Sequence, residues 1–175
     1  MKYSPLPSID HLKSRLSYFP DSGLFFWKER SDIRPVRCQK RWNTIFANQQ
    51  AGSIGLHGYW VIELDYVKYL SHRLAWLYVH GKAPAEEIDH INLDRSDVRI
   101  ANLREATRSQ NTQNSPGRSK KGMPKGVSRN GNRFQALISG KNGYEYLGTF
   151  DTIEVAQAVY AAAVKKHFGE FGRTA

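Results

Sequence analysis

Between Gly126 and Gly169 the spacing of apolar residues changes once, from alternation to helical spacing, and few folds accommodate that change. Gly126-Val127-Ser128, Arg133 to Ile138 and Tyr144 to Phe150 read as three short strands. Asn130-Gly131-Asn132 and Lys141-Asn142-Gly143 supply turn chemistry between them, so an antiparallel meander is expected. Asp151 then reads as an N-cap, with Glu154 completing a capping box, and opens an Ala-rich helix that closes on Lys165, Lys166 and Gly169. Val155, Val159 and Ala163, with Ala156, Tyr160 and Val164 beside them, are mostly small and would let the helix approach the sheet closely. Such a unit leaves its other sheet face open.

Upstream the pattern is different. Residues 115–125 are rich in Gly, Pro, Ser and cations and read as a basic linker, which divides the chain into residues 1–114 and 126–175. In the first part Gly23 to Trp27 reads as a strand, and Tyr59 to Leu64 with Val67 to Leu70 as a hairpin turning at Asp65-Tyr66. Ser71 is the expected N-cap of a helix carrying Leu74, Leu77 and Tyr78 on one face and stopping at His80-Gly81. Arg30 to Arg41, interrupted by Pro35, reads as an exposed basic loop, and no element is predicted from Gln39 to Gly58. The expected class is α+β.

Charge narrows the partner. Lys and Arg number 26 against 16 Asp and Glu, a formal +10, of which +6 falls from Gly117 onward and +4 before it. That balance suits a polyanion, and both parts are expected to meet it. The single cysteine, Cys38, excludes an internal disulfide and a cysteine-built zinc site. No apolar run approaches the length of a membrane span, and the N-terminus lacks a signal-peptide pattern, so a cytoplasmic protein is expected.

Chemistry concentrates in Ile88-Asp89-His90-Ile91-Asn92, followed by Asn102-Leu103-Arg104-Glu105-Ala106-Thr107, Asn111 and Asn114. A carboxylate beside a histidine, with amides further on, offers oxygen ligands for a hard divalent ion and a base for water. Thr107-Arg108-Ser109-Gln110 is itself a capping box, which sets Asn111 in the early turns of a helix. Adjacent strand residues face opposite ways, so Asp89 and His90 should flank a centre and not grip one ion together.

This segment resembles the HNH endonucleases, most closely the branch of phage and intron homing nucleases, in the variant with Asn at the last position. The resemblance spans roughly residues 20–116, including His72-Arg73-Leu74-Ala75-Trp76; Leu93 stands where such loops often have Gly, and Val98 where they often have Asn. It implies a ββα-metal fold, with Asp89 and Asn111 on Mg²⁺ or Mn²⁺ at the leaving 3′ oxygen and His90 as general base. Asn102 would hold the imidazole, brace the loop, or serve only as a turn amide. Arg104 would clamp the scissile phosphate or lie solvated, and His72 would lie near the site or only pack.

The C-terminal part resembles an APETALA2-type DNA-binding domain through Lys125-Gly126-Val127, Arg133-Phe134-Gln135-Ala136, Leu147-Gly148-Thr149-Phe150 and the helix from Glu154 to Ala163. That family reads the major groove with its sheet, which nominates Arg129, Arg133 and Tyr146 as DNA contacts. Tyr146 stands where Trp is frequent, and Ser128 where Arg is usual. The expectation is therefore a monomeric, metal-dependent, strand-nicking endonuclease acting on double-stranded DNA, with no membrane association and no obligate protein partner. Its rivals are a non-catalytic DNA-binding regulator built on a nuclease and a nonspecific or structure-directed nuclease.

Overall fold

The computed structural model describes residues 5–115, 122–140 and 143–174, which divide into two compact units, Met1–Glu105 and Ala106–Ala175. This division falls nearer the N-terminus than the linker read from the sequence at 115–125.

In the first unit, Ser8 caps α1 (Ile9–Arg15) by accepting the His11 amide at 3.2 Å. β1 (Leu16–Phe19) and β2 (Leu24–Trp27) pair as an antiparallel hairpin whose turn contains Gly23 at φ +71°. A Cβ there would lie 2.5 Å from the Arg99 amide nitrogen, so only glycine fits between this turn and the later loop. α2 (Val36–Phe46) follows, where the sequence suggests a basic loop. Pro35 does not interrupt it: the proline is the N-cap, and its fixed φ leads into the first turn. Trp42 packs its ring 5.9 Å from Trp27, and Asn43 bonds both the Arg30 amide and its carbonyl, which gives the helix a fixed inner face.

β3 (Ser53–Ile54), β4 (Trp60–Leu64) and β5 (Val67–Leu70) form an antiparallel sheet in that order, and β4 turns into β5 through Asp65 and Tyr66, both at positive φ. α3 (Ser71–His80) begins directly where β5 stops and ends at Gly81. Its N-cap is Leu70, not Ser71, because the strand runs into the helix with no intervening polar residue; Ser71 is the first helical residue and is fully buried. The inner face of α3, Leu74, Ala75 and Leu77, closes a core with Leu12, Leu16, Phe25, Ile62 and Ile88. β6 (Glu87–His90) and β7 (Leu103–Ala106) make a separate two-stranded sheet.

The second unit opens with α4 (Arg108–Asn114), which has the expected capping box: Thr107 accepts the Gln110 amide and Gln110 the Thr107 amide. β8 (Val127–Asn130), β9 (Arg133–Gly140) and β10 (Gly143–Phe150) form the anticipated meander, with a bulge at Leu147. α5 (Ile153–Phe168) covers one face, and Ala156, Tyr160 and Val164 meet Val127, Ala136 and Ile138. Val155 instead points outward at 49% exposure. The N-cap of α5 is Thr152, which accepts the Val155 amide. Asp151 is drawn away from capping by the Arg133 guanidinium, 2.7 Å from its carboxylate. Of the basic linker, residues 116–121 lie outside the described residues; Lys125 is not solvated but tied to α4, its ammonium donating to the Gln113 carbonyl and, at 2.9 Å, to that of Ser115. Mixed helices and small antiparallel sheets make the class α+β. Among the described residues no helix is long and apolar enough to cross a membrane.

Candidate active site

β6 carries Asp89 and His90 into the interior, both nearly fully buried, and their side chains reach different neighbours. Asp89 Oδ2 accepts from Arg104 twice, from Nε at 3.0 Å and from Nη2 at 2.9 Å. Arg104, which the sequence suggests for a scissile phosphate, is therefore the ion-pair partner of the candidate metal ligand. The alternation that puts Arg104 on one face of β7 also brings it across the two-stranded sheet to Asp89.

His90 enters a ring cluster. The His72 ring stands edge-on to it with centroids 4.9 Å apart, and Tyr59 lies 6.0 Å from His90 and 5.4 Å from His72. Burial pushes the His90 imidazole below its ordinary range despite the Asp89 carboxylate beside it, so the ring is neutral near pH 7 and able to accept a proton. Burial likewise lowers His72, to about 3, and its Nδ1 has no hydrogen-bond partner in the structure. The loop after β6 adds a cation: Arg95 lies over the Tyr59 ring at 5.0 Å and donates to the His57 carbonyl at 3.0 Å.

Asn102 braces that loop. Its Oδ1 accepts the Asn92 amide and its Nδ2 donates to the Asp97 carbonyl, each at 3.0 Å, while its own carbonyl accepts the Ile91 amide. Of its three expected roles the bonds match the second. Asp97 reaches back to Asn92 and forward to Arg99, whose guanidinium holds the Asp97 carboxyl down at about 2. Leu93, where glycine is frequent in the similar family, takes φ +69° all the same. Val98 is buried in the core, and its carbonyl accepts the Tyr18 hydroxyl at 2.7 Å. Tyr59, His72 and Arg95 come from three separate segments, and only His72 carries any sequence signal. A cleft of about 680 Å³ opens beside Tyr59, lined among others by Trp27, Leu56, Tyr69 and Arg73, but Asp89 and His90 do not line it.

Asn111 is half-buried in α4, in the second unit. Among the described residues no three His, Cys, Asp or Glu side chains cluster as metal ligands. A second Asp-His pair, Asp10-His11, is unlike the first: it lies on α1, where His11 Nε2 meets Asp65 at 2.6 Å and is exposed.

In the second unit the three nominated DNA contacts separate by face. Arg133 and Tyr146 alternate with the helix-facing residues of β9 and β10 and so share the face away from α5, where Tyr146 bonds Thr149 at 2.6 Å. Arg129 pairs in register with Phe134, lies over its ring at 5.9 Å, and belongs to the helix side.

Residues 69–113, about a quarter of the chain, match the family model of the HNH endonucleases. No curated protein and no solved structure gave a match. The matched segment runs from β5 through α4 and contains His72, Asp89, His90, Asn102, Arg104 and Asn111. This domain points to a nuclease or DNA-binding function and, through its family, to a divalent metal and DNA.

Proposed function

We propose that the chain is a metal-dependent DNA endonuclease in which the matched HNH segment cuts and the C-terminal sheet reads the duplex. The observation that carries this is the buried Asp89-His90 pair, one member facing an arginine and the other a neutral, ring-lined pocket. His90 takes the proton of the attacking water. The His72 and Tyr59 rings hold its imidazole in place and keep its surroundings dry enough to stay uncharged. Asn102 positions rather than reacts, fixing the loop that leaves β6. By the family resemblance, Asp89 and Asn111 would be the residues to hold the ion, Mg²⁺ or Mn²⁺ by their donor chemistry. Bound there, its chemistry is stabilisation of negative charge on the leaving 3′ oxygen. Arg104 orients the Asp89 carboxylate through their ion pair, while its guanidinium offers a cation toward phosphate. Arg133 and Tyr146, on the open sheet face, contact DNA, while Arg129 lies on the helix side and is the weakest of the three candidates; the homing-type character follows from the family resemblance, and strand nicking from the single Asp89-His90 constellation.

The rival, a DNA-binding regulator derived from a nuclease, draws on one observation: Asp89 already has a cation partner in Arg104. Substituting His90→Ala separates the two. Cleavage of a supercoiled plasmid in Mg²⁺ or Mn²⁺ should fall by about 10²–10⁴, the usual worth of a general base, with duplex affinity in EDTA unchanged. Undiminished cleavage overturns the assignment of His90, and a wild-type protein that binds but never cuts in either metal establishes the regulator.

A further inference from the structure

We infer that α2 is a second duplex-DNA contact surface, gripping the phosphate backbone through Arg37, Lys40 and Arg41, with Arg34 just before the helix. This rests on the DNA-binding reading above, and it gives a role to a segment that lies outside the matched HNH region.

The helix has two faces of opposite character. Gln39, Trp42 and Asn43 recur at helical spacing and are half-buried, anchored by Trp27, by Arg30 over the Trp42 ring at 5.4 Å, and by the Asn43 bonds. Arg37, Lys40, Arg41 and Thr44 recur at the same spacing on the other side, and all four are exposed. The cations here differ from four other arginines of the unit. Arg15 and Arg30 share Asp32, Arg99 holds Asp97, and Arg104 holds Asp89, at 2.6 to 3.1 Å. Arg34, Arg37, Lys40 and Arg41 meet no carboxylate among the described residues. In the sequence no Asp or Glu occurs between Asp32 and Glu63, and Asp32 is engaged by two arginines.

A row of like charges on one rigid helix face repels itself unless a polyanion compensates it. The anchored inner face keeps that row from dispersing. With a rise of about 1.5 Å per residue, Arg37 to Arg41 span about 6 Å, a reach suited to consecutive phosphates of one strand. Arg37, Lys40, Arg41 and Thr44 offer charges and a hydroxyl, with the exposed Val36, Cys38 and Ile45 bordering them, so the helix fixes position and affinity, not sequence.

The test uses the full chain and a fluorescent duplex in EDTA, with affinity measured from low to moderate salt. The triple variant R37Q/K40Q/R41Q should bind about tenfold or more weakly, and the slope of log affinity against log salt should become shallower by about 0.9 for each phosphate that the variant no longer neutralises. A control, K82Q/K165Q/K166Q, removes the same charge from exposed positions elsewhere and should change both far less. If the triple variant unfolds, Cys38, exposed on α2 and the chain's single cysteine, allows a photo-crosslinker to be attached to the otherwise unaltered protein. Light should then link α2 to the labelled duplex. A triple variant matching the control, or no crosslink to a duplex the protein does bind, overturns the inference, even if binding to RNA or to anionic vesicles is weakened. Metal-dependent cutting by the wild type, measured alongside, reports on the nuclease reading independently.

Discussion

His72 enters the core as a neutral base, which determines how the first unit responds to acid. Its pKa falls from an ordinary value near 6.5 to about 3, chiefly through burial and secondarily through His90 and Arg73. The unfolded chain therefore binds more protons than the folded one throughout that window. This contribution to stability is fully present above about pH 6.5 and is lost as pH falls toward 3. Urea unfolding of the wild type and of His72→Leu should show it: the wild type should lose stability more steeply between pH 6.5 and 4, because the variant lacks the proton site. Parallel curves would show that the His72 ring is charged in both states or in neither. Asp89, His90, Asn102 and Asn111 stand out as candidates in sequence because they belong to one run, within the family match, whose spacing is itself the signal. Tyr59 reaches His90 only through the β4–β5 sheet and α3, a meeting that no local spacing records. Arg104 shows a further limit: alternation places it on the correct face but does not reveal Asp89 as its partner there.

At the scale of elements, caps and helix starts are where sequence reading fails, and competition for the same side chain is the physical reason. Asp151 has the chemistry of an N-cap, yet Arg133 competes for its carboxylate and Thr152 caps α5 in its place. α2 escapes a reading of the sequence because its inner face is built from Trp, Asn and Gln more than from aliphatic residues, and because Pro35 reads equally as a break or a beginning. The meander is legible because its turn residues and alternation agree. Its tightest point is Gly126, at φ +73°, where a Cβ would lie 2.0 Å from the Tyr160 ring. Substituting Gly126→Ala should destabilise the second unit by about 2 kcal/mol or more, combining left-handed backbone strain with displacement of the buried tyrosine. Melting followed by Tyr160-region chemical shifts would check it. A variant as stable as the wild type would mean that β8 and α5 shift apart at little cost.

At the scale of the whole molecule, one chain carries one Asp89-His90 constellation backed by Asn102, since Asp10-His11 lies exposed on α1. On the proposed nuclease reading one centre would cut one strand, and no heptad or extended apolar helix in the sequence announces a paired chain. A supercoiled plasmid with a single target should accumulate as open circle under limiting protein and metal. Linear product forming at the same rate, with no nicked intermediate, would show that two chains act together. The formal +10 is enough to anticipate a polyanion, but not which elements would meet it. The join between the parts carries a consequence for exchange of modules. Lys125 is fastened to the last carbonyls of α4, and α4 belongs to the C-terminal unit although the family match runs on into it, to residue 113. A recombination breakpoint in the Gly- and Ser-rich stretch would sever those bonds and leave a half-buried ammonium without acceptors. One placed before Ala106 would keep α4 with its sheet but divide the matched segment in two. Chimeras of such proteins should therefore keep the C-terminal unit folded only when α4 travels with the sheet, as a single inherited block.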